Sequence, residues 1–427
     1  MKATAVVCAA VTIALASRAM SGQRQPASTG VLDEHPAIQY AMRPTTDRVA
    51  KLRQALTRGE RTLVRDARTG FVLPVLQALG VPFESQLLVF SKTGVQSAYT
   101  GPRNPRAIFF DQSVVVAYVP GAPVIELAAH DPQQGVVFYT IDQSAAAPVP
   151  VRHVGCMSCH VTASTLEAPG IIARSNAVGD DGNVLREFGS HDVDHRTTHP
   201  DRWGGWFVTS EALTPYGQRA HMGNITFAGR ETTSNQVFVD FMHSAPETHG
   251  YLRASSDIVS LLVFDHQARA INLLTRLNWE SRVAASAGPV HTSQTTIAGL
   301  VDELADYLLF VGEAPPSVPL EPLPAFVDYL GARTPKDHRG RSFGQLDAVN
   351  RLLQYPCSFM VYTDAFDGLL PVVRDAVYAR MLDILSGRDS RSAYAHMTAA
   401  DRQAIVEILR ETKPDFPRSP AAALHPH

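Results

Sequence analysis

Cysteine is scarce in this chain, with four residues in 427. A structural zinc site needs four ligands, usually as two close pairs, and only Cys156 and Cys159 form such a pair here. An excess of either charge is also missing. Lys and Arg number 38, Asp and Glu 41, for a formal net charge of −3. That balance disfavours nucleic acid as a partner. The mostly apolar stretch at residues 3–16 is too short to span a bilayer. Phosphate-cradling glycine loops, H-E-x-x-H motifs and internal repeats are absent, so nothing points to the chemistries those patterns carry. What is present describes a globular protein: 45% apolar and 19% charged residues. Its length suggests two or three domains.

The N-terminus reads as an export signal. Lys2 precedes the apolar stretch, and small residues follow around Ala14-Leu15-Ala16 and Ala19. These are a positive n-region, a short h-region and cleavage sites. The expectation is a signal peptide at residues 1–19 and a bacterial protein that is periplasmic or otherwise exported, with no membrane span after cleavage. An uncleaved anchor is the alternative. Cys8 sits in the middle of the apolar stretch without the small-residue context of lipoprotein cleavage, so no lipidation is expected. Cleavage removes Lys2 and Arg18 and no acid, which leaves the mature chain more negative.

The most specific feature is Cys156-Met157-Ser158-Cys159-His160. C-x-x-C-H is the attachment signature of c-type haem. Two thiols three residues apart on one helical turn can each add across a haem vinyl group. The adjacent imidazole then serves as the proximal iron ligand. The motif predicts one covalently attached haem c, held by Cys156, Cys159 and His160. A zinc site and a thioredoxin-like redox dithiol are the competing readings, though no βαβ pattern supports the second. Covalent haem attachment in bacteria takes place outside the cytoplasmic membrane, so export and motif predict each other. Cys357, in Tyr355-Pro356-Cys357-Ser358-Phe359-Met360, is then an odd thiol, and its apolar neighbourhood predicts a buried, inert one.

Composition along the chain gives an α+β outline: a β-rich N-terminal part, a loop-rich haem region and a mostly helical C-terminal part. Residues 20–45 read as a flexible segment, 46–147 as a β-rich α+β domain, 148–245 as the haem-binding region and 246–427 as the helical region. Strands are expected at 83–90, at 107–119 with an interruption, at 124–128 and at 136–141, with a hairpin turn from Asp131 to Gly135. Helices are expected at 46–58, 234–243, 256–285, 295–311, 343–354, 371–386 and 398–411. Thr398 and Asp401 suggest a capping box.

The other side of the iron decides function. A second strong ligand makes an electron carrier, and an open site permits substrate chemistry. Met222, in His221-Met222-Gly223-Asn224, is the first candidate, flanked by Gly217 and Gly223. His266 is the second, on a helix that also carries Asp265, Arg269, Asn272 and Arg276 as a polar stripe. His221 and His243 are further candidates. Trp203 and Trp206 are candidates for the apolar wall, and Arg174, Arg202 and Arg219 for propionate partners. His191, His195 and His199 recur every four residues, but Gly189, Thr197, Thr198 and Pro200 favour a polar loop over a second metal site. Asp180-Asp181-Gly182-Asn183 reads as a turn. Gly340-Arg341-Ser342-Phe343-Gly344 matches G-x-S-x-G without the strand that nucleophile motif requires.

The C-x-x-C-H string resembles that of the c-type cytochromes. More widely, Leu87-Leu88-Val89-Phe90-Ser91-Lys92, Pro105-Arg106-Ala107-Ile108-Phe109-Phe110, the haem motif, residues 202–209 and His221-Met222-Gly223-Asn224 resemble a group of large, exported, single-motif bacterial haem proteins with no settled activity. The resemblance implies covalent haem. Small class I cytochromes also place a distal methionine some sixty residues after the motif, as Met222 stands here. The chain departs from them at Pro148 and Pro150, which discourage a helix leading into the motif. It is also far longer than a domain of ~100–150 residues. Three functions compete. The first is electron transfer with a periplasmic redox partner protein. The second is a haem enzyme, peroxidase- or oxidase-like, acting on a small-molecule substrate at an open distal site. The third is a haem-based sensor or binding module for a gas or partner.

Overall fold

A computed structural model describes residues 32–209, 220–223, 249–316 and 319–418, with only the backbone described for 220–223. The expected signal peptide, residues 20–31 of the 20–45 segment and the helix expected at 234–243 lie outside the described residues. The architecture is mixed α+β, with one large antiparallel sheet and a helical C-terminal half.

The sheet begins with β1 (Leu87–Val89), β2 (Arg106–Phe110), β3 (Val114–Tyr118), β4 (Val124–Asp131), β5 (Gly135–Asp142) and β6 (Val151–Arg152). A two-stranded ribbon follows, β7 (Arg174–Asn176) with β8 (Ser190–Asp192). Then β9 (Trp206–Thr209) and β10 (Ala220–Gly223) return to the large sheet, whose order is β10-β9-β1-β2-β3-β4-β5-β6. The β4–β5 hairpin is the longest pairing. Its turn forms because Asp131 Oδ1 accepts the amides of Gln133 and Gln134, both at 2.9 Å. Gly135 then adopts φ +75°, which a β-carbon disfavours.

Side chains alternate across the sheet, as the pleat requires. Ile108, Phe110, Val136, Phe138, Trp206 and Val208 enter one core. Ala107, Phe109, Val116, Val137, Tyr139 and Phe207 enter a second core on the opposite face. That second core is closed by α1 (Arg48–Thr57) and α2 (Val72–Leu79). Asp47 caps α1, accepting from Val49 and Ala50 N–H.

After the short α3 (Met157–His160), the first core is closed by α4, Ile258–Ala287. Thirty residues at ~1.5 Å each make a rod of about 45 Å. Asp257 starts it, accepting from Ser260 N–H at 2.8 Å. Its interior is buried nearly all round, so it is a central helix rather than a surface one. On it stacks α5 (Thr295–Leu308). Next come α6 (Pro324–Arg333) and the single-turn α7 (Asp364–Asp367). Packed on α5 is α8 (Pro371–Leu385), and on α8 is α9 (Ala399–Thr412), started by the expected Thr398–Asp401 capping box.

Residues 343–354 are not the expected helix. They form a tight reversal with an isolated bridge between Leu346 and Leu353, and Ala348 sits at φ +57°. Asp347 drives the turn, accepting from Val349 and Asn350 N–H. Helices α2 and α6 were not expected. Their apolar runs are short, and proline lies inside or at the start of each. The expected regional boundaries do not divide the core. Strand β9, from the region expected to bind haem, pairs with β1, and α4 packs on β5. Among the described residues, no helix is long and apolar enough to cross a membrane.

Candidate functional site

The C-x-x-C-H motif follows the last strand of the sheet. Val151 and Arg152 pair with Thr140 and Tyr139, and His153 N–H still donates to Phe138 O at 2.9 Å. Arg152 anchors this edge through the carbonyls of Tyr40 and Arg43 and lies over the Tyr40 ring. The chain then turns through a 3-10 turn, Val154–Cys156, into α3. No helix leads in, as Pro148 and Pro150 foretold. Ser158 Oγ donates to Gly155 O at 2.9 Å and tightens the turn.

The turn distributes the motif's side chains. Cys156 is half-buried against the first core, Met157 packs on the second, and Cys159 is exposed. Both thiols are free. Burial, then the charge of Glu126, pushes the Cys156 thiol upward. A redox dithiol needs a depressed thiol pKa, so this environment does not suit one. Nor does the motif contribute to a cluster of metal ligands. Among the described residues, Asp337, His338 and Glu411 form the one such trio, with Asp337 buried and the other two exposed, and Glu411 is already bonded to His338.

His160 is held at both ends. Its carbonyl accepts from Gly170 N–H and Thr165 Oγ1, each at 3.1 Å. Its Nδ1 donates to Gly170 O at 2.9 Å, an assignment that follows from a carbonyl being acceptor only. The ring centroid is 4.6 Å from that of Phe138. Burial lowers its pKa, against the opposing bond to Gly170, and keeps the ring neutral. Donation from Nδ1 leaves Nε2 as the lone-pair nitrogen, the state in which imidazole binds a metal.

Beside this histidine lies a half-open apolar shelf. Phe138 faces Ala128 across β5–β4, and Ala128 faces Val115 across β4–β3. Val115, Ala117 and Ala128 are only partly covered, although they sit on the face that α4 closes elsewhere. Their small side chains leave a flat apolar surface next to Cys156 and Phe138. Beside it on the same face are Arg106 and Glu126, 12% and 24% exposed and 3.7 Å apart. Gln96 donates to Glu126 at 2.9 Å. Arg106 Nε and Gln96 Oε1 are buried without partners, an uncommon state for such atoms. A half-covered apolar shelf, a neutral oriented imidazole and two free thiols fit a covalently held porphyrin, and Arg106, already paired with Glu126, is the cation beside it.

The described candidates for the sixth iron position do not converge on His160. Met222 and His221 lie in β10, paired with Phe207 and Val208 of β9. Six strand spacings separate β10 from β5, which packs on His160. At ~4.8 Å per spacing that is about 29 Å, far beyond the reach of a methionine. His266 is fully buried and has both ring nitrogens engaged, Nδ1 with His195 at 2.8 Å and Nε2 with Ser358 Oγ at 2.7 Å. It is structural. His243 lies outside the described residues.

The remaining candidates are equally specific. Trp203 and Trp206 are core residues, and Trp206 Nε1 donates to Arg174 O at 2.9 Å. Arg174 binds Asp192 and Ser164, and Arg202 is buried against Asp265 at 3.3 Å. Arg219 lies outside the described residues. The three spaced histidines diverge. His191 bonds Asp201 O, His195 stacks on Tyr307 and Phe310, and His199 meets Trp203 edge-on. Asp181 closes the expected turn through Asn183 N–H. Ser342 is buried beside Thr334 rather than a base. Cys357 is fully buried and its thiol is pushed up by burial, as an inert cysteine should be.

Sequence reading missed Arg106, Gln96 and Glu126, which come together only through strand register. It also missed His153, whose Nδ1 is 3.7 Å from Cys156 Sγ. No protein-family model matches the chain, and no curated protein or solved structure is significantly similar to it.

Proposed function

We propose that this chain is an exported c-type haem protein that transfers electrons through one covalently attached haem. The observation that carries the reading is His160. It follows two free cysteines at motif spacing, is kept neutral by burial, and is turned by Gly170 so that Nε2 is the metal-binding nitrogen. When bound, haem supplies one-electron exchange between Fe(II) and Fe(III). The residues of the chain do the rest. Cys156 and Cys159 anchor the macrocycle, and His160 holds the iron. Val115, Ala117 and Ala128 keep water from one side, and Arg106 offsets propionate charge. Cys159 is exposed, so the edge it anchors is where an exported redox partner approaches.

The sheet order favours a second reading. With Met222 carried away from His160, a haem held by Cys156, Cys159 and His160 would offer its other side to a small molecule, and the chain would act as a haem enzyme. Absorption and magnetic circular dichroism spectra of the exported protein, in both oxidation states, separate the two. Electron transfer expects a low-spin spectrum that carbon monoxide leaves unchanged, with colour that survives acid–acetone extraction. High-spin ferric iron and rapid carbon monoxide binding favour the enzyme. A protein that never acquires covalent colour in the presence of haem-maturation machinery overturns both.

A further inference from the structure

Loop 161–171 contains one 3-10 turn, Ala163–Thr165, and otherwise irregular backbone, yet it fixes where His160 points. The Gly170 carbonyl that accepts from His160 Nδ1 is itself held from α4, a hundred residues further along the chain. Asn272 on that helix is 2% exposed. Its side-chain oxygen accepts Ile171 N–H at 2.9 Å, and its amide nitrogen donates to Ile171 O at 2.8 Å. Both bonds fall on the residue after Gly170, so one side chain clamps the peptide that orients the imidazole. The approach leaves no slack: a β-carbon on Gly170 would meet Asn272 Oδ1 at 2.3 Å. One turn along α4, Arg276 donates to Leu166 O at 2.9 Å and pairs with Glu280, which secures the rest of the loop.

We propose that Asn272 is a positioning residue for the iron ligand: by fixing the Gly170 carbonyl it holds His160 in the Nδ1–H tautomer and sets the reduction potential of the bound iron. The inference rests on the haem reading above. A histidine that donates its second N–H to a carbonyl is a more basic ligand and favours the oxidised metal. A free-moving Gly170 carbonyl weakens that bond, so the potential rises.

Two variants remove both amide bonds. Asn272→Leu keeps the bulk, and Asn272→Ala adds none. Asn278→Leu is the control, because Asn278 lies on the same helix but donates to Pro132 O at 2.7 Å, outside the haem loop. The readouts are the midpoint potential of the haem-loaded protein by spectroelectrochemistry and the His160 tautomer in the haem-free chain by nitrogen-15 NMR. The expected result is a raised potential and mixed His160 tautomers in both Asn272 variants. Asn278→Leu should lower thermal stability and move neither readout. Where Asn272→Leu fails to fold, Asn272→Ala decides. An unchanged potential and tautomer in the Asn272 variants, or equal shifts in Asn278→Leu, overturns the proposal. A wild-type protein without covalent haem overturns the haem reading alone, since the tautomer in the haem-free chain still tests the clamp.

Discussion

Single residues in this protein divide by how far their partners lie along the chain. The C-x-x-C-H string stands out in the sequence because its pattern lies in five consecutive positions. The polar stripe Asp265, Arg269, Asn272 and Arg276 was visible as helical spacing, but spacing alone does not say what faces it. The structure answers with partners from the protein itself: Arg202, the half-exposed Glu303, the Ile171 backbone and the Leu166 carbonyl. Arg202 and Asp265 are each 3% exposed, and burial raises Asp265 to about 7 even beside that guanidinium. Removing one member strands the other in a low-dielectric site, at ~3–5 kcal/mol. Arg202→Leu is therefore expected to lower unfolding stability by about that amount in urea titrations. Adding Asp265→Leu should recover most of the loss, because replacing both partners removes the orphan. A double variant as unstable as the sum of the two singles would show that the pair contributes packing rather than charge.

At the level of elements, the strands between 87 and 142 and the long helices followed their patterns, whereas the short strands β6–β10 were not expected in a region that reads as loop-rich. The β4–β5 hairpin was legible because Asp131 and Gly135 bracket two alternating runs. Residues 343–354 have helical spacing of apolar groups, but Asp347 offers its carboxylate to the backbone two and three residues on and breaks the helix there. What no local pattern carries is the fit between elements. Gly135 shows it: a β-carbon there would lie 2.2 Å from Thr275 Cγ2 on α4. Gly135→Ala thus incurs two penalties, the left-handed backbone at ~1–2 kcal/mol and a clash with the helix. The pair Gly135→Ala and Thr275→Ser separates them, since serine lacks the offending methyl group. The single variant should be the less stable. The double should regain the clash portion and leave a deficit near the backbone cost. If Thr275→Ser restores nothing, the helix shifts to relieve the contact and the hairpin is not rigidly docked.

Over the whole molecule, the sequence outline of β-rich, loop-rich and helical regions describes composition but not cores. Strand β9 returns to the first sheet and α4 closes it, so long-range register joins the three regions, and register is not local information. Joining them buries titratable groups of both kinds, and their pH dependences oppose each other. Burial pushes His130 from its ordinary 6.5 to about 4 and His266 to about 3. The folded state then refuses protons that the unfolded chain takes, so stability is lost as pH falls from 6.5 toward those values. Glu313 and Asp265, raised to about 7, act in the other direction. Their folded forms take up protons first, so stability is gained as pH falls from 7 toward their ordinary range. The net slope of the wild type is consequently a poor test of either set, whereas the difference between two chains isolates one group. His130 is fully buried near Asp131 and Asp364, which favour its charged form without overcoming burial. In His130→Leu that titration is gone. The stability of the wild type relative to this variant should fall by about 1.4 kcal/mol per pH unit from pH 6.5 to about 4 and then level off. At pH 7 and above the difference should be flat and should reflect packing alone. A difference independent of pH from 4 to 7 would mean that His130 reaches solvent on protonation, and that the β4 face against α7 opens more readily than its burial implies.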